Sequence, residues 1–347
     1  MDYTHLGRSG VSVSRLCLGT MNFGAITSEA DAHVIMDAAH EHGINFFDTS
    51  NTYGQPRAEG VTESVIGRWM AAGGGRRDRT VLATKLYGGK GEWPNDRFLS
   101  AFNIRRACEE SLRRLGTDHI DLYQMHRPDH QTEVGETLSA LSDLVQAGKI
   151  RAFGSSMFAA ELITEAQWAA ERRGTHRFVT EQPMYSIFTR KAEAAVLPTA
   201  QRYGFGVLTF GPLNSGWLSG RADLAAGHRA TYRPSTFDPA TPAGQLKSAA
   251  LGKLTALAAE AALPLPHLAT AFVLAHPAVT SVLIGPRTYE QLDGLLSGAG
   301  VELSGDILDR IDEIVPPGTD FDPADTYFAT PPALEHSALR RRPAGGR

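Results

Sequence analysis

Four ionisable residues follow short apolar runs in this chain. Asp48 comes after Phe46-Phe47, and Tyr53 lies five residues on in Asp48-Thr49-Ser50-Asn51-Thr52-Tyr53-Gly54. Lys85 comes after Leu82-Ala83-Thr84, and His126 after Tyr123-Gln124-Met125. A phenol titrates near ~10 and is a poor proton donor to a developing alkoxide unless its pKa is brought down. A lysine beside the phenol oxygen would do that, a carboxylate would neutralise and orient the lysine, and a histidine would hydrogen-bond a carbonyl oxygen or share its proton. Such a set is an acid catalyst with an oxyanion site, and it contains neither a nucleophile nor a metal. The electron pair it lacks would come from a bound hydride donor. Each residue also has an ordinary reading: a helix cap, a packing aromatic, a rim charge, a satisfied histidine. Lys85 would instead suit Schiff-base chemistry if it were free of Asp48.

What decides between these readings is whether the fold brings the four together. Eight short apolar runs alternate with longer amphipathic segments, the rhythm of repeated β-α units around a parallel sheet. The expected strands are Arg15 to Leu18, Ile44 to Phe47, Thr80 to Ala83, Ile120 to Met125, Ile150 to Phe153, Phe178 to Thr180, Gly206 to Thr209 and Ser281 to Ile284. Helices are expected over Glu29 to His42, Glu63 to Ala72, Ala101 to Leu115, Val134 to Ala147, Ala160 to Arg173, Lys191 to Tyr203, Ala249 to Ala262 and Tyr289 to Leu296, with Ile307 to Ile314 also amphipathic. No composition break divides the series. A single α/β domain, a (β/α)8 TIM barrel over residues 1–347, is therefore preferred to two doubly wound domains. Tyr3 to Leu6 and Val11 to Ser14 flank Gly7-Arg8-Ser9-Gly10 and predict an N-terminal β-hairpin that plugs the barrel floor. Residues 316–347 form a Pro-rich C-terminal tail, expected to be mobile. In a barrel, the residues that end strands face one mouth, so the four would converge there.

Composition narrows the partners. The chain has 347 residues, with 38 acidic against 34 basic side chains, a net charge of −4 and two cysteines. That balance gives no electrostatic footprint for nucleic acid or an anionic membrane. Cys17 and Cys108 read as small buried hydrophobes in a reducing, cytoplasmic setting. The most apolar stretch, Leu263 to Ile284, is interrupted by prolines and histidines, and Met1 to Gly10 has no apolar leader. Three histidines, His119, His126 and His130, lack the converging ligands of a zinc site. Gly73-Gly74-Gly75 follows a helix and reads as a turn, so no phosphate-binding glycine loop of the Rossmann kind is expected.

The segments Gly19-Thr20-Met21-Asn22-Phe23-Gly24, Asp48 to Tyr53, Ala83-Thr84-Lys85 and Gln124-Met125-His126, in this order and spacing, resemble the aldo-keto reductase superfamily over residues 3–315. The loops are similar to a bacterial branch that includes sugar-modifying reductases and relatives of potassium-channel beta subunits. The resemblance implies a barrel that binds NADPH/NADP+ in extended form, NADH less well. It also implies a catalytic tetrad of Asp48, Tyr53, Lys85 and His126, with Tyr53 as the proton donor. For the cofactor it implies contacts from Gly19, Thr20, Met21, Asp48, Ser156, Gln182, the stacking position Phe210, the pyrophosphate loop Gly211, Pro212, Leu213 and Ser215 with Arg221, and Gly285, Arg287 and Gln291 on the adenosine side. Met157, Gly294 and Leu295 depart from the family pattern, and Arg287 is the residue suited to a ribose 2′-phosphate. A substrate pocket is expected from Met21, Trp93, Arg127 and Trp217. The implied activity is reduction of an aldehyde or ketone, a small carbonyl or keto-sugar, to an alcohol. The alternative is an NADP(H)-binding redox-sensing subunit with little turnover, against which His126 argues, because the beta subunits often carry Asn there. A homo-oligomer is compatible with either.

Overall fold

The computed structural model describes residues 1–56, 59–89, 91, 93–221, 224, 237–329 and 332–341. A two-stranded antiparallel hairpin, β1 (Tyr3–His5) and β2 (Ser12–Ser14), leads into eight parallel strands. These are β3 (Leu16–Gly19), β4 (Phe46–Asp48), β5 (Val81–Leu86), β6 (Ile120–Met125), β7 (Ile150–Ser156), β8 (Thr180–Gln182), β9 (Gly206–Thr209) and β10 (Val279–Ile284). They pair in sequence order, and β10 returns to β3, closing the barrel. Around it run α1 (Glu29–Glu41), α2 (Val61–Ala71), α3 (Ala101–Leu115), α4 (Val134–Gln146), α5 (Ala160–Arg173), α6 (Val196–Tyr203), α7 (Pro242–Glu260), α8 (Leu265–Ala275), α9 (Tyr289–Leu296) and α10 (Gly305–Ile314). Among the described residues, no single helix is long and apolar enough to cross a membrane.

Most residues of the barrel strands are buried, on both faces of the sheet, and the core splits accordingly. One cluster lies between sheet and helices. The other, inside the barrel, joins Cys17, Phe46, Ala83, Leu122, Leu208 and Leu283 to Leu6 and Val13 of the hairpin. The hairpin thus closes the floor as expected. Its fit is close: at Gly7, with φ +59, an added Cβ would lie 2.4 Å from the Gly206 nitrogen. Asn45 fastens it from the barrel side, accepting from the Ser14 N–H at 2.8 Å and donating to the Ser12 carbonyl at 3.0 Å. Both cysteines are buried and unpaired.

Several boundaries differ from the sequence expectation, for identifiable reasons. Strands β5 and β7 run on to Leu86 and Ser156, and β8 is shifted to include Glu181 and Gln182. Apolar runs end where the barrel lining turns polar, but the backbone ladder continues. Helix α8 was not among the expected elements. Pro264 and Pro266 read as breakers there, whereas proline in a helix's first turn starts one. Helix α7 begins at Pro242, seven residues before the expected Ala249, capped by the Thr241 hydroxyl accepting from Gly244 N–H. The segment expected as one helix from Lys191 breaks at Ala195 into a 3-10 turn and α6. The tail is not free along its first part: Phe321 N–H donates to the Phe188 carbonyl, Arg190 N–H to the Thr319 carbonyl, and Asp325 is buried. Residues 342–347 lie outside the described part, as do residues 222–223 and 225–236 between β9 and α7.

Candidate active site

Successive strand residues alternate between faces, so the residue two beyond an inward apolar one also points inward, one pleat nearer the mouth. Above Cys17, Phe46, Ala83, Leu122, Leu208 and Leu283 this rule places Gly19, Asp48, Lys85, Gln124, Phe210 and Gly285. Apart from Phe210, the mouth is therefore lined by polar or small residues directly over an apolar plug.

The tetrad converges in this layer. Lys85 and Asp48 are both buried, and the lysine ammonium donates to Asp48 Oδ1. Two further bonds fix that ammonium, to the Thr49 carbonyl at 3.0 Å and the Tyr53 hydroxyl at 3.3 Å. The other carboxylate oxygen of Asp48 accepts from Gln124 Nε2 at 2.9 Å and Gln182 Nε2 at 3.0 Å. His126 stands edge-on to the Tyr53 ring at 5.7 Å between centroids, and its Nδ1 is 3.2 Å from the Ser50 hydroxyl.

Charge and burial act against each other here. Burial raises the Tyr53 pKa above its ordinary 10, and Lys85 pulls it back through charge and hydrogen bond without overcoming burial. The expected lowering is thus present as a force, but the net direction is upward. The phenol stays protonated at neutral pH, a donor rather than a phenolate. Burial also lowers the Lys85 pKa, but Asp48 and Tyr53 together outweigh it and hold the ammonium above its ordinary value. A Schiff-base lysine needs a neutral amine, and this one is charged and paired.

The remaining expected positions are distributed as follows. Gly19 and the buried Thr20 begin the loop after β3, and the Thr20 hydroxyl and N–H both donate to the Asp48 carbonyl, at 2.9 and 3.0 Å. Ser156 and Gln182 pair across β7 and β8, with the Ser156 hydroxyl on the Gln182 carbonyl at 2.9 Å. Phe210 is partly exposed where β9 ends, followed by Gly211, Pro212, Leu213 and Ser215, and exposed Arg221 closes that described stretch. After β10, Gly285 is open enough that an added Cβ would meet only Asn22 Nδ2 at 3.6 Å. Arg287 N–H donates to Gln291 Oε1 at 3.0 Å, and Thr27 holds the Arg287 carbonyl. Of the expected pocket residues, Met21 and Trp93 are exposed, Trp93 at 79%, and the Arg127 guanidinium is 6.0 Å from the Tyr87 ring centroid. Trp217 is buried against Phe237 and Lys247, inside the loop packing.

Sequence reading passed over Gln124, Ser50 and Glu181. Gln124 was visible in the pleat rule, two residues beyond Leu122. Ser50 has no periodic signal, because it sits in a loop. Glu181 falls on the outward face, where its buried carboxyl takes the Ser155 hydroxyl and the Phe158 N–H at 3.1 Å. Burial raises its pKa to about 8 against those hydrogen bonds.

Residues 15–316 match the Aldo/keto reductase family. The chain is 45% identical over 321 residues to the uncharacterized oxidoreductase YrpG of Bacillus subtilis, covering 91% of this chain and 96% of that protein. It is 34% identical to Protein tas of Escherichia coli, over 90% and 97% of the two chains. A probable voltage-gated potassium channel subunit beta of Oryza sativa is 35% identical, over 91% and 97%. The match runs through the barrel and the mouth alike, and the chain belongs to the aldo/keto reductase family, a family of oxidoreductases.

Proposed function

We propose that the protein reduces an aldehyde or ketone to an alcohol with NADPH, Tyr53 supplying the proton. The observation that carries this reading is a buried phenol whose oxygen accepts from the buried, Asp48-paired Lys85 ammonium at 3.3 Å and whose ring lies edge-on to a histidine.

The residues present suit the nucleotide. The amide nitrogen of Gln182 is committed to Asp48 and Gln124, which leaves its carbonyl to accept from a carboxamide, with the Ser156 hydroxyl beside it. Phe210 offers an aromatic face, Gly285 an unobstructed wall, and Arg221 and Arg287 cations at the rim. Once bound, the nicotinamide supplies the electron pair as a hydride.

The protein's part is the proton and the charge. As the carbonyl oxygen gains negative charge, Tyr53 donates its hydroxyl proton, and the Lys85 ammonium stabilises the phenolate left behind. Asp48 keeps that ammonium charged and in place. Ser50 holds His126 through Nδ1 at 3.2 Å, which keeps the ring beside Tyr53, where it can hydrogen-bond the substrate oxygen. Nothing moves far, because every polar atom of the lysine–carboxylate pair is fixed by the barrel.

The test is consumption of NADPH with a panel of aldehydes, diketones and keto-sugars. Tyr53→Phe should cut turnover by about 10²–10⁴-fold, the usual share of a general acid, while nucleotide affinity stays similar. Unchanged turnover would remove Tyr53 as the donor. Arg287→Ala should weaken NADPH far more than NADH; equal weakening would remove its role at the 2′-phosphate. The second reading is a regulatory subunit with little turnover, because the rice relative is named as a probable channel subunit. Tight NADPH binding with no turnover on any carbonyl would favour it.

A further inference from the structure

A second buried ionic group lies behind the mouth and takes no part in that chemistry. Lys247 of α7 is fully buried, and its ammonium is 2.7 Å from Asp325 Oδ2 in the segment beyond α10, with Asp322 at 3.9 Å. The same Asp325 oxygen accepts from Asn214 Nδ2 at 3.0 Å, and that amide nitrogen also donates to the Thr189 hydroxyl at 3.0 Å. Asn214 is itself buried, its side-chain oxygen has no hydrogen-bond partner among the described residues, and it sits inside the loop that follows β9.

That loop is strained. Asn214 and Ser215 take left-handed backbone angles, φ 44 and 63, in succession, although neither is glycine. Such conformations persist only where the surroundings over-determine them. The surroundings here are the C-terminal segment. It is fastened in turn to the loop after β8 by Phe321 N–H on the Phe188 carbonyl, by Lys191 N–H on Asp320 Oδ1 and by the Phe188 and Phe321 rings, tilted against each other at 5.5 Å between centroids. An apolar pair could fill the Lys247–Asp325 space at no loss of stability. What the charged pair adds is a fixed acceptor for Asn214.

We propose that Lys247, Asp325 and Asn214 form a latch through which the C-terminal segment sets the conformation of the 211–218 loop and so the lifetime of the bound dinucleotide. This rests on the cofactor reading above. The three are positioning residues, remote from the reacting atoms.

The experiment has two arms. In the nucleotide-free protein, hydrogen exchange of residues 211–218 is compared between wild type, Asn214→Gly, which cuts the tie but keeps the ion pair, and the double variant Lys247→Met/Asp325→Leu, which replaces the pair without unpairing a charge. Both variants should exchange faster there by roughly tenfold, the worth of one charge-assisted hydrogen bond, while the barrel strands exchange as before. Ser215→Gly adds the same backbone freedom with the latch intact, and should stay closer to wild type than either. In the second arm, NADPH dissociation should quicken by about the same factor in both latch variants, while affinity for 2′-AMP is retained. Wild-type exchange over 211–218 in the double variant, or faster exchange with an unchanged NADPH dissociation rate, would overturn the latch. A wild type that binds neither NADPH nor NADH would overturn the cofactor reading instead, separately from the exchange result, which needs no nucleotide.

Discussion

A buried ammonium and a buried carboxylate pair at the centre of the mouth, and the Tyr53 phenol leans on the cation. Each ion is costly out of water, and the pair is tolerated because Thr49, Gln124 and Gln182 complete its hydrogen bonds. Removing one member should therefore cost more than the loss of one contact. Lys85→Met leaves Asp48 buried without its cation and should destabilise the fold by about 3–5 kcal/mol, besides lowering turnover. Urea unfolding measures the first effect; a loss below about 1 kcal/mol would mean that the buried pair contributes no more than an exposed one.

At the scale of elements, strands β7 and β8 present opposite chemistry on their two faces. Ser156 and Gln182 point into the mouth, while Ser155 and Glu181, one residue earlier on each strand, face the helices. Glu181 binds the Phe158 N–H of the turn into α5, where Met157 takes a left-handed φ of 60, so it holds the backbone that carries Ser156. Its native pKa of about 8 lies above the ordinary 4.5. Between those values the native state binds more protons than the unfolded one, so stability falls as pH rises and levels off above pH 8. Glu181→Gln should abolish that slope. Thermal unfolding from about pH 5 to about pH 9 should show wild type losing on the order of 3 kcal/mol relative to the variant. Parallel curves would show that the carboxyl does not titrate in this range.

Over the whole molecule, the barrel has one working end. The hairpin seals the other, and its turn packs directly on the backbone that enters β9, with Arg8 N–H donating to the Gly204 carbonyl at 3.1 Å. Gly7→Val should clash with Gly206 and disfavour the left-handed turn, at a combined cost of about 2–5 kcal/mol. The measurement is again urea unfolding, with the midpoint expected to drop at little change in slope. A shallower slope would instead show the hairpin detaching as a separate unit. The C-terminal segment joins α7 to the loop after β9, so parts far apart in sequence share one buried ion pair.

The fold was legible in the order of apolar runs. A parallel barrel repeats one local pattern eight times, and both β6 and β9 fall on the residues the pattern marks. That the four residues meet was legible for the same reason, since strand ends in a barrel converge whatever else varies. Helix α8 was lost to its prolines, and the ends of β5 and β7 to the polarity of the mouth they line. What the sequence by itself determined, then, is the alternation of elements and the residue types at their ends, because periodicity is a local property of the chain. Only the tertiary structure decided which charges meet. Lys85 with Asp48, Ser50 with His126 and Lys247 with Asp325 are pairs set by closure of the barrel and docking of the tail. The same burial decided the direction of the Tyr53 pKa, because desolvation depends on every neighbour at once and on no spacing along the chain.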